Sequence, residues 1–325
     1  MLTFLRRFAS LAGMIAIVLF FWVNLPDTFM TARNWINISQ QVSMLAVIAA
    51  TMTVVMVMGD FDLSVGSMAS LSGVVAAVLF TQGWPIPAAV SAALAVGLVG
   101  GLFNGFLVSV IGILPFVATL ATLTVYSGLA FVVSGGSTIF GRAIPEAFSG
   151  FARSGLPLTE VDGRVLLLPN LTMVAIGVAL VVWVVLEQTA YGRRLYAIGG
   201  NREAARLAGI RVTWLRLTAF AFTGVGAAIA GLMFAARVAS ANPTQGSGLM
   251  LTAIAAVFLG MTLTENGQPR VLATMAGVAV LGILDNGLTQ MRVDSYVREV
   301  LVGAIIILAV SLSALGRRGL LRGQS

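Results

Sequence analysis

Residues 191–216 read YGRRLYAIGGNREAARLAGIRVTWLR, a basic polar stretch set between the long apolar runs 169–187 and 215–236. Six of the nineteen basic residues fall in it. Asn201 is placed to cap a helix over 202–208, Glu203 sits in its first turn where the helix dipole favours a negative charge, and Gly209 supplies a stop. Ala204, Ala205 and Ala208 keep the surface of this helix slim enough to enter a groove. About two turns are too few to be stable alone in water, so packing must hold the segment, against this chain or another protein. The expectation is a docking element between two membrane spans, with Asn201, Glu203, Ala204, Ala205 and Gly209 as its defining residues.

Outside that stretch the chain is oily: 58% of its 325 residues are hydrophobic, 10% are charged, and the mean hydropathy is +1.00. A soluble helical protein of this length needs many more charges to cover its surface, so the class is a polytopic membrane protein. The chain has no Lys, no His and no Cys, and every basic residue is Arg. Without Lys it cannot supply a phosphate-loop lysine for nucleotide hydrolysis. Without His and Cys the usual zinc sets, the Ser-His and Cys-His nucleophiles and histidine proton relays are excluded, which leaves an integral membrane enzyme poorly served. A net charge of +7 follows from arginine retained on the cytoplasmic side, and no interleaved basic and aromatic groove suggests nucleic acid.

One helical crossing needs about 20 apolar residues. On that measure spans are expected near 9–25, 42–58, 67–81, 86–110, 116–134, 169–187, 215–236, 249–263, 271–289 and 297–315. Arg6 and Arg7 before the first run resemble a signal peptide, but no small-residue cleavage site follows, so an uncleaved first helix is expected. The fold class is therefore all-α, a single polytopic bundle over 1–325 with about ten transmembrane helices and both termini cytoplasmic. Twelve of the nineteen arginines then lie inside. One span more or fewer before residue 190 would put the richest arginine cluster outside, against the positive-inside tendency.

Several polar features interrupt the apolar runs. Between the second and third spans, Gly59 to Gly66 reads GDFDLSVG. Asp60 and Asp62 there, with Ser64 as a helix N-cap, fit either a capped helix start at the membrane edge or a broken helix lining a translocation route. Gly97, Gly101 and Gly105 form a flat stripe for close helix packing, with Asn104 beside them able to hydrogen-bond across the contact. Thr119, Thr122 and Thr124 are cheaply satisfied by bonding back to their own helix. Asp285 and Asn286, near the end of the ninth span, are functional candidates by their depth, although snorkelling to the interface is equally open. Residues 135–168 form the longest loop, with glycines and prolines expected to break any regular element, and a soluble external partner could rest on it.

Four blocks in consistent order, GDFDLSVGS at 59–67, TLATLTVYSGLAFVVSGG at 119–136, YGRRLYAIGGNREAARLAGI at 191–210 and ASANPTQGSG at 239–248, resemble the ribose/arabinose/xylose branch of bacterial ATP-binding-cassette importer permeases. Glu203-Ala204-Ala205 followed by Gly209 is similar to the pattern by which such permeases dock into their ATPase. The resemblance implies a homodimer, or a paired permease subunit, in the bacterial inner membrane. It also implies an ATP-binding subunit with two cassettes and a periplasmic sugar-binding protein. No cofactor is expected in this chain, since ATP and magnesium would be bound by the partner ATPase, and no metal site or nucleic acid is implied. The wording GDFDLSV leans toward arabinose-type permeases. One departure stands out: the glycine-rich turn that the family carries after the eighth span is replaced by GMTLTENGQPR at 260–270. The competing class is an ion-gradient-driven secondary transporter of a small polar solute, for which Asp60, Asp62 and Asp285 are the plausible coupling acids.

Overall fold

The computed structural model describes residues 2–161, 163–264, 267–304, 307 and 311. In chain order the helices are α1 (Leu2–Asn24), α2 (Ala32–Met56), α3 (Val65–Thr81), α4 (Ile86–Phe106), α5 (Pro115–Ser134), α6 (Glu146–Arg153), α7 (Asn170–Trp183), α8 (Ala190–Gly200), α9 (Arg202–Leu207), α10 (Val212–Val238), α11 (Leu249–Met261) and α12 (Val271–Gln290). π-helical turns extend α4 through Ile111 and α7 through Gln188. Among the described residues there are also two short antiparallel pairs, β1 (Ile139–Phe140) with β4 (Ser240–Ala241) and β2 (Gly155–Val161) with β3 (Arg164–Pro169).

Among the described residues six helices are long and apolar enough to cross a membrane, and α3, α11 and residues 12–24 of α1 are shorter apolar helices. Residues 295–304 are helical as well. The rest of the tenth expected span, apart from residues 307 and 311, and the arginines at 317, 318 and 322 lie outside the described residues.

Two expectations about local structure differ from what is found. The second helix begins at Ala32, ten residues before the expected 42, and so takes in the polar run from Asn34 to Gln41. Hydropathy misses that run because its side chains are satisfied laterally: Asn34 donates to the Phe29 carbonyl at 2.9 Å, Gln290 donates to Asn34 at 2.9 Å, and Gln41 bonds Asp285. The long loop contains α6 and the β2–β3 hairpin, where no regular element was expected. Pro145 and Pro169 there stand immediately before helices, and Gly163 turns the hairpin with φ +71°.

The chain forms two compact units, residues 1–42 with 254–325, and residues 43–253. In the first, Phe21, Phe29, Val280, Ile283 and Leu284 form the core, with the Phe21 and Phe29 rings 5.4 Å apart. In the second, α10 is the central helix, packed against α3 and α4. The glycine stripe makes the α4 contact possible. A Cβ on Gly97 would lie 2.5 Å from both Ala228 Cβ and the Gly224 carbonyl oxygen, one on Gly101 would collide with the Phe220 carbonyl, and one on Gly105 would lie 2.7 Å from Leu217 Cα. Successive glycines on α4 meet successively earlier residues of α10, so the two helices run antiparallel with backbones in contact.

Within the second unit, alternate connections come together. The link after α2, the end of α4, and α9 with the start of α10 meet around Asp60, while the segments after α5 and after α10 meet in the β1–β4 pair. Helices that alternate in direction require this grouping.

Candidate functional site

The link from Met56 to Val65 is short, yet nearly all of it is buried: Asp60 and Asp62 are each 1% exposed and Ser64 is 2% exposed. Two carboxylates cannot stay there without partners. Asp60 has two arginines. Arg216, on the first turns of α10, donates from Nε to Oδ2 at 2.7 Å and from Nη2 to Oδ1 at 3.0 Å, a bidentate fork, and its Nη1 faces the Val108 carbonyl at 3.4 Å. Arg202, the first residue of α9, donates from Nη2 to Asp60 Oδ1 at 3.0 Å. The two arginines differ in setting, since the Arg216 side chain is 10% exposed and that of Arg202 is 48% exposed.

Asp62 is held by neutral donors. Its Oδ1 accepts the Ser64 amide at 3.0 Å and the Ser64 hydroxyl at 2.7 Å, and its Oδ2 accepts the Thr223 hydroxyl from α10 at 2.6 Å. Asn104 on α4 donates to Ser64 Oγ at 2.7 Å and approaches Asp62 at 3.4 Å. Tyr126 on α5 donates to the Gly100 carbonyl at 2.9 Å and to Asn104 Oδ1 at 3.3 Å. Ser64 occupies the cap position of α3, but its hydroxyl donates to Asp62 and its side chain makes no cap bond to the helix. The link is thus fastened to α4, α9 and α10. The end of α8 presses on it too, since a Cβ on Gly199 would overlap the Val57 carbonyl.

The short helix next to this link has the expected form. The Asn201 side chain accepts from the Ala204 amide at 2.9 Å, and Gly209 follows the helix with φ +80°. Glu203 and Arg206 pair across one turn on the exposed surface, Arg206 Nε to Oε2 at 3.1 Å and Nη2 to Oε1 at 2.6 Å. That hydrogen bond draws the Glu203 carboxyl below its ordinary value. Ala205 is buried against its own chain, while Ala204, Ala208 and Gly209 face outward. The outward surface also carries Leu207, 77% exposed, which the pattern of small residues did not reveal. Beside it lies a groove of ≈510 Å³ lined by Arg194, Ala208, Gly209, Arg211 and Trp214.

The remaining sequence candidates lie in the first unit. Asp285 pairs with Arg298 at 3.0 Å and accepts from Gln41, and its side chain stays 38% exposed. Asn286 is buried and accepts from Gln290 at 2.8 Å. Among the described residues no group of acids could hold a metal ion.

Comparison with known proteins decides the family. The family described as "Branched-chain amino acid transport system / permease component" matches residues 34–310, most of the chain. The chain belongs to this family of ATP-binding-cassette importer permeases. Within it, the similarity is to sugar permeases. The ribose import permease protein RbsC of Bacillus subtilis (strain 168) is 37% identical over 291 residues, 89% of this chain and 87% of that protein. RbsC of Escherichia coli (strain K12) is 37% identical over 305 residues, 94% and 92% of the two chains. The xylose transport system permease protein XylH of the same strain is 32% identical over 365 residues, 97% and 93%. No solved structure matches. A permease of this family is a transport subunit, not an enzyme, and the apolar helices fit a multi-pass membrane protein.

Sequence reading named Asp60, Asp62, Ser64 and Asn104 separately, and this permease brings them into one cluster. It missed Arg202 and Arg216 as partners of Asp60, and Thr223 and Tyr126 as partners around Asp62. The arginines had a sufficient topological reason to be where they are, and pairing across 142 and 156 residues leaves no local signal.

Proposed function

We propose that this chain is the membrane-spanning subunit of a bacterial importer that moves a monosaccharide, a pentose or hexose of the ribose, arabinose or xylose kind, across the inner membrane. Two copies, or one copy and a paired permease subunit, form the pathway, with both termini cytoplasmic. A separate ATP-binding subunit with two cassettes, which carries the ATP and magnesium, docks on α9. A periplasmic sugar-binding protein delivers the substrate to the opposite side, where α6 and the β2–β3 hairpin lie.

The observation that carries this reading is α9 itself: capped, rigidly terminated, exposed on Ala204, Leu207 and Ala208, and joined through Arg202 to the buried link. The absence of any lysine in the chain agrees, because the energy must come from a partner if transport is ATP-driven. The arrangement of the acids supports this class over a gradient-driven transporter: Asp60 is committed to two arginines and Asp62 to hydroxyl and amide donors. Among the candidates for the sugar's route, the Asp285 side chain, paired with Gln41 and Arg298, stays 38% exposed, whereas Asp60, Asp62 and Ser64 of the 57–64 link are buried.

Cells lacking their own pentose permeases, supplied with this chain and its partners, test the substrate class. Uptake of labelled ribose, xylose or arabinose, competed by unlabelled sugar, is expected. No uptake of any pentose or hexose would overturn the sugar assignment.

A further inference from the structure

Asp60 is bound by two arginines of different character, and the difference has a mechanical meaning. Arg216 is almost wholly buried, grips both carboxylate oxygens and points a third nitrogen at Val108. Breaking that contact would strand a charge in the interior. Arg202 is half exposed and makes a single bond at 3.0 Å, so it exchanges that bond for water more readily than Arg216 does. The carboxylate stays neutralised whether Arg202 is bound or not.

The two arginines also sit on elements with different freedom. Arg216 is built into α10, the central helix of its unit. Arg202 opens α9, a six-residue helix that buries Ala205 and leaves the rest of its surface open. At the other end of the contact, the 57–64 link is fastened to α4 through Asn104 and to α10 through Thr223 and Arg216. A shift of α9 therefore reaches the link through the Arg202 side chain, beside the packing of α9 on α8 and α10.

We propose that Arg202 is a positioning residue for energy coupling: its bond to Asp60 is made in one state of α9 and released in another, with Arg216 holding Asp60 in place throughout. The two arrangements of this bond form the two-state element that transmits motion from the docked partner to the link. This rests on the reading of α9 as the ATPase-docking helix.

The test uses the full chain assembled in proteoliposomes with its ATPase and binding protein, comparing wild type, Arg202→Gln and Arg202→Lys. Arg202→Gln should keep the ATPase bound, and stimulation is read as the ratio of hydrolysis with and without the loaded binding protein. Stimulation of hydrolysis by the loaded binding protein, and sugar uptake with it, should fall by about tenfold, within the usual range of allosteric coupling. Arg202→Lys, which keeps a cation in reach of Asp60, should recover most of both. Normal stimulation and uptake in Arg202→Gln would overturn the proposal. So would loss of the ATPase on co-purification, because Arg202 would then be a docking contact. Wild type that accumulates sugar with no ATPase present would instead remove the docking reading on which the proposal stands.

Discussion

Replacing Asp60 by Leu and Arg216 by Met, singly and together, measures how far the buried pair organises the second unit. In Arg216→Met, the carboxylate of Asp60, 1% exposed, keeps only the half-exposed Arg202. In Asp60→Leu, the guanidinium of Arg216, 10% exposed, keeps only the long contact to Val108. Each single change leaves a buried charge short of its partner, at a cost of about 3–5 kcal/mol. The double change removes both charges and their burial penalty, and Arg202 is free to turn into water. The double variant should therefore be more stable than either single one, with a coupling that exceeds the single-variant cost of about 3–5 kcal/mol. At roughly 2–4 °C per kcal/mol for a unit of this size, each single variant should lose roughly 6–20 °C in a heating series followed by size-exclusion chromatography in detergent. A double variant as unstable as the sum of the single ones would refute the reasoning, as would single variants that match wild type.

Other outcomes follow from the same geometry. Leu207→Asp puts a charge on the most exposed apolar side chain of α9, and it should reduce co-purification of the ATPase while membrane insertion stays normal; unchanged co-purification would show that α9 is not the docking surface. Gly101→Ala forces α4 from α10 at the Phe220 carbonyl and should cost about 1–3 kcal/mol in the same heating series, whereas Gly128→Ala, with open space around its Cβ, should cost little. The Glu203 carboxyl is lowered by its hydrogen bond to Arg206, so the pair's contribution is complete at neutral pH and is lost only as pH falls through that depressed value. Co-purification of the ATPase should accordingly hold constant from neutral to mildly acidic pH, and a fall over that range would count against the Glu203–Arg206 pair as the group that sets it.

What could be read in the sequence depended on how local the cause was. The Asn201 cap and the Gly209 stop depend on neighbours in the chain and appear at the expected residues. Elements stabilised by distant partners were hidden. The polar start of α2 is helical because Gln290 and Asp285 satisfy it, and the hairpin at 155–169 depends on pairing that a count of glycines and prolines does not reveal. The orientation of α9 was equally hidden: three alanines look alike in sequence, and only packing buries Ala205 while Leu207 faces out. The acids of the 57–64 link were conspicuous, but their meaning lay in Arg202, Arg216, Thr223 and Asn104, which come from three other elements.

The most direct measurement is accumulation of labelled sugar in proteoliposomes holding this chain, with the double-cassette ATPase, the binding protein and ATP added or omitted one at a time, and with imposed proton or sodium gradients as the comparison. Accumulation that requires the ATPase, ATP and the binding protein together, and ignores the gradients, is the predicted result. Accumulation driven by a gradient alone, with no ATPase present, would contradict it.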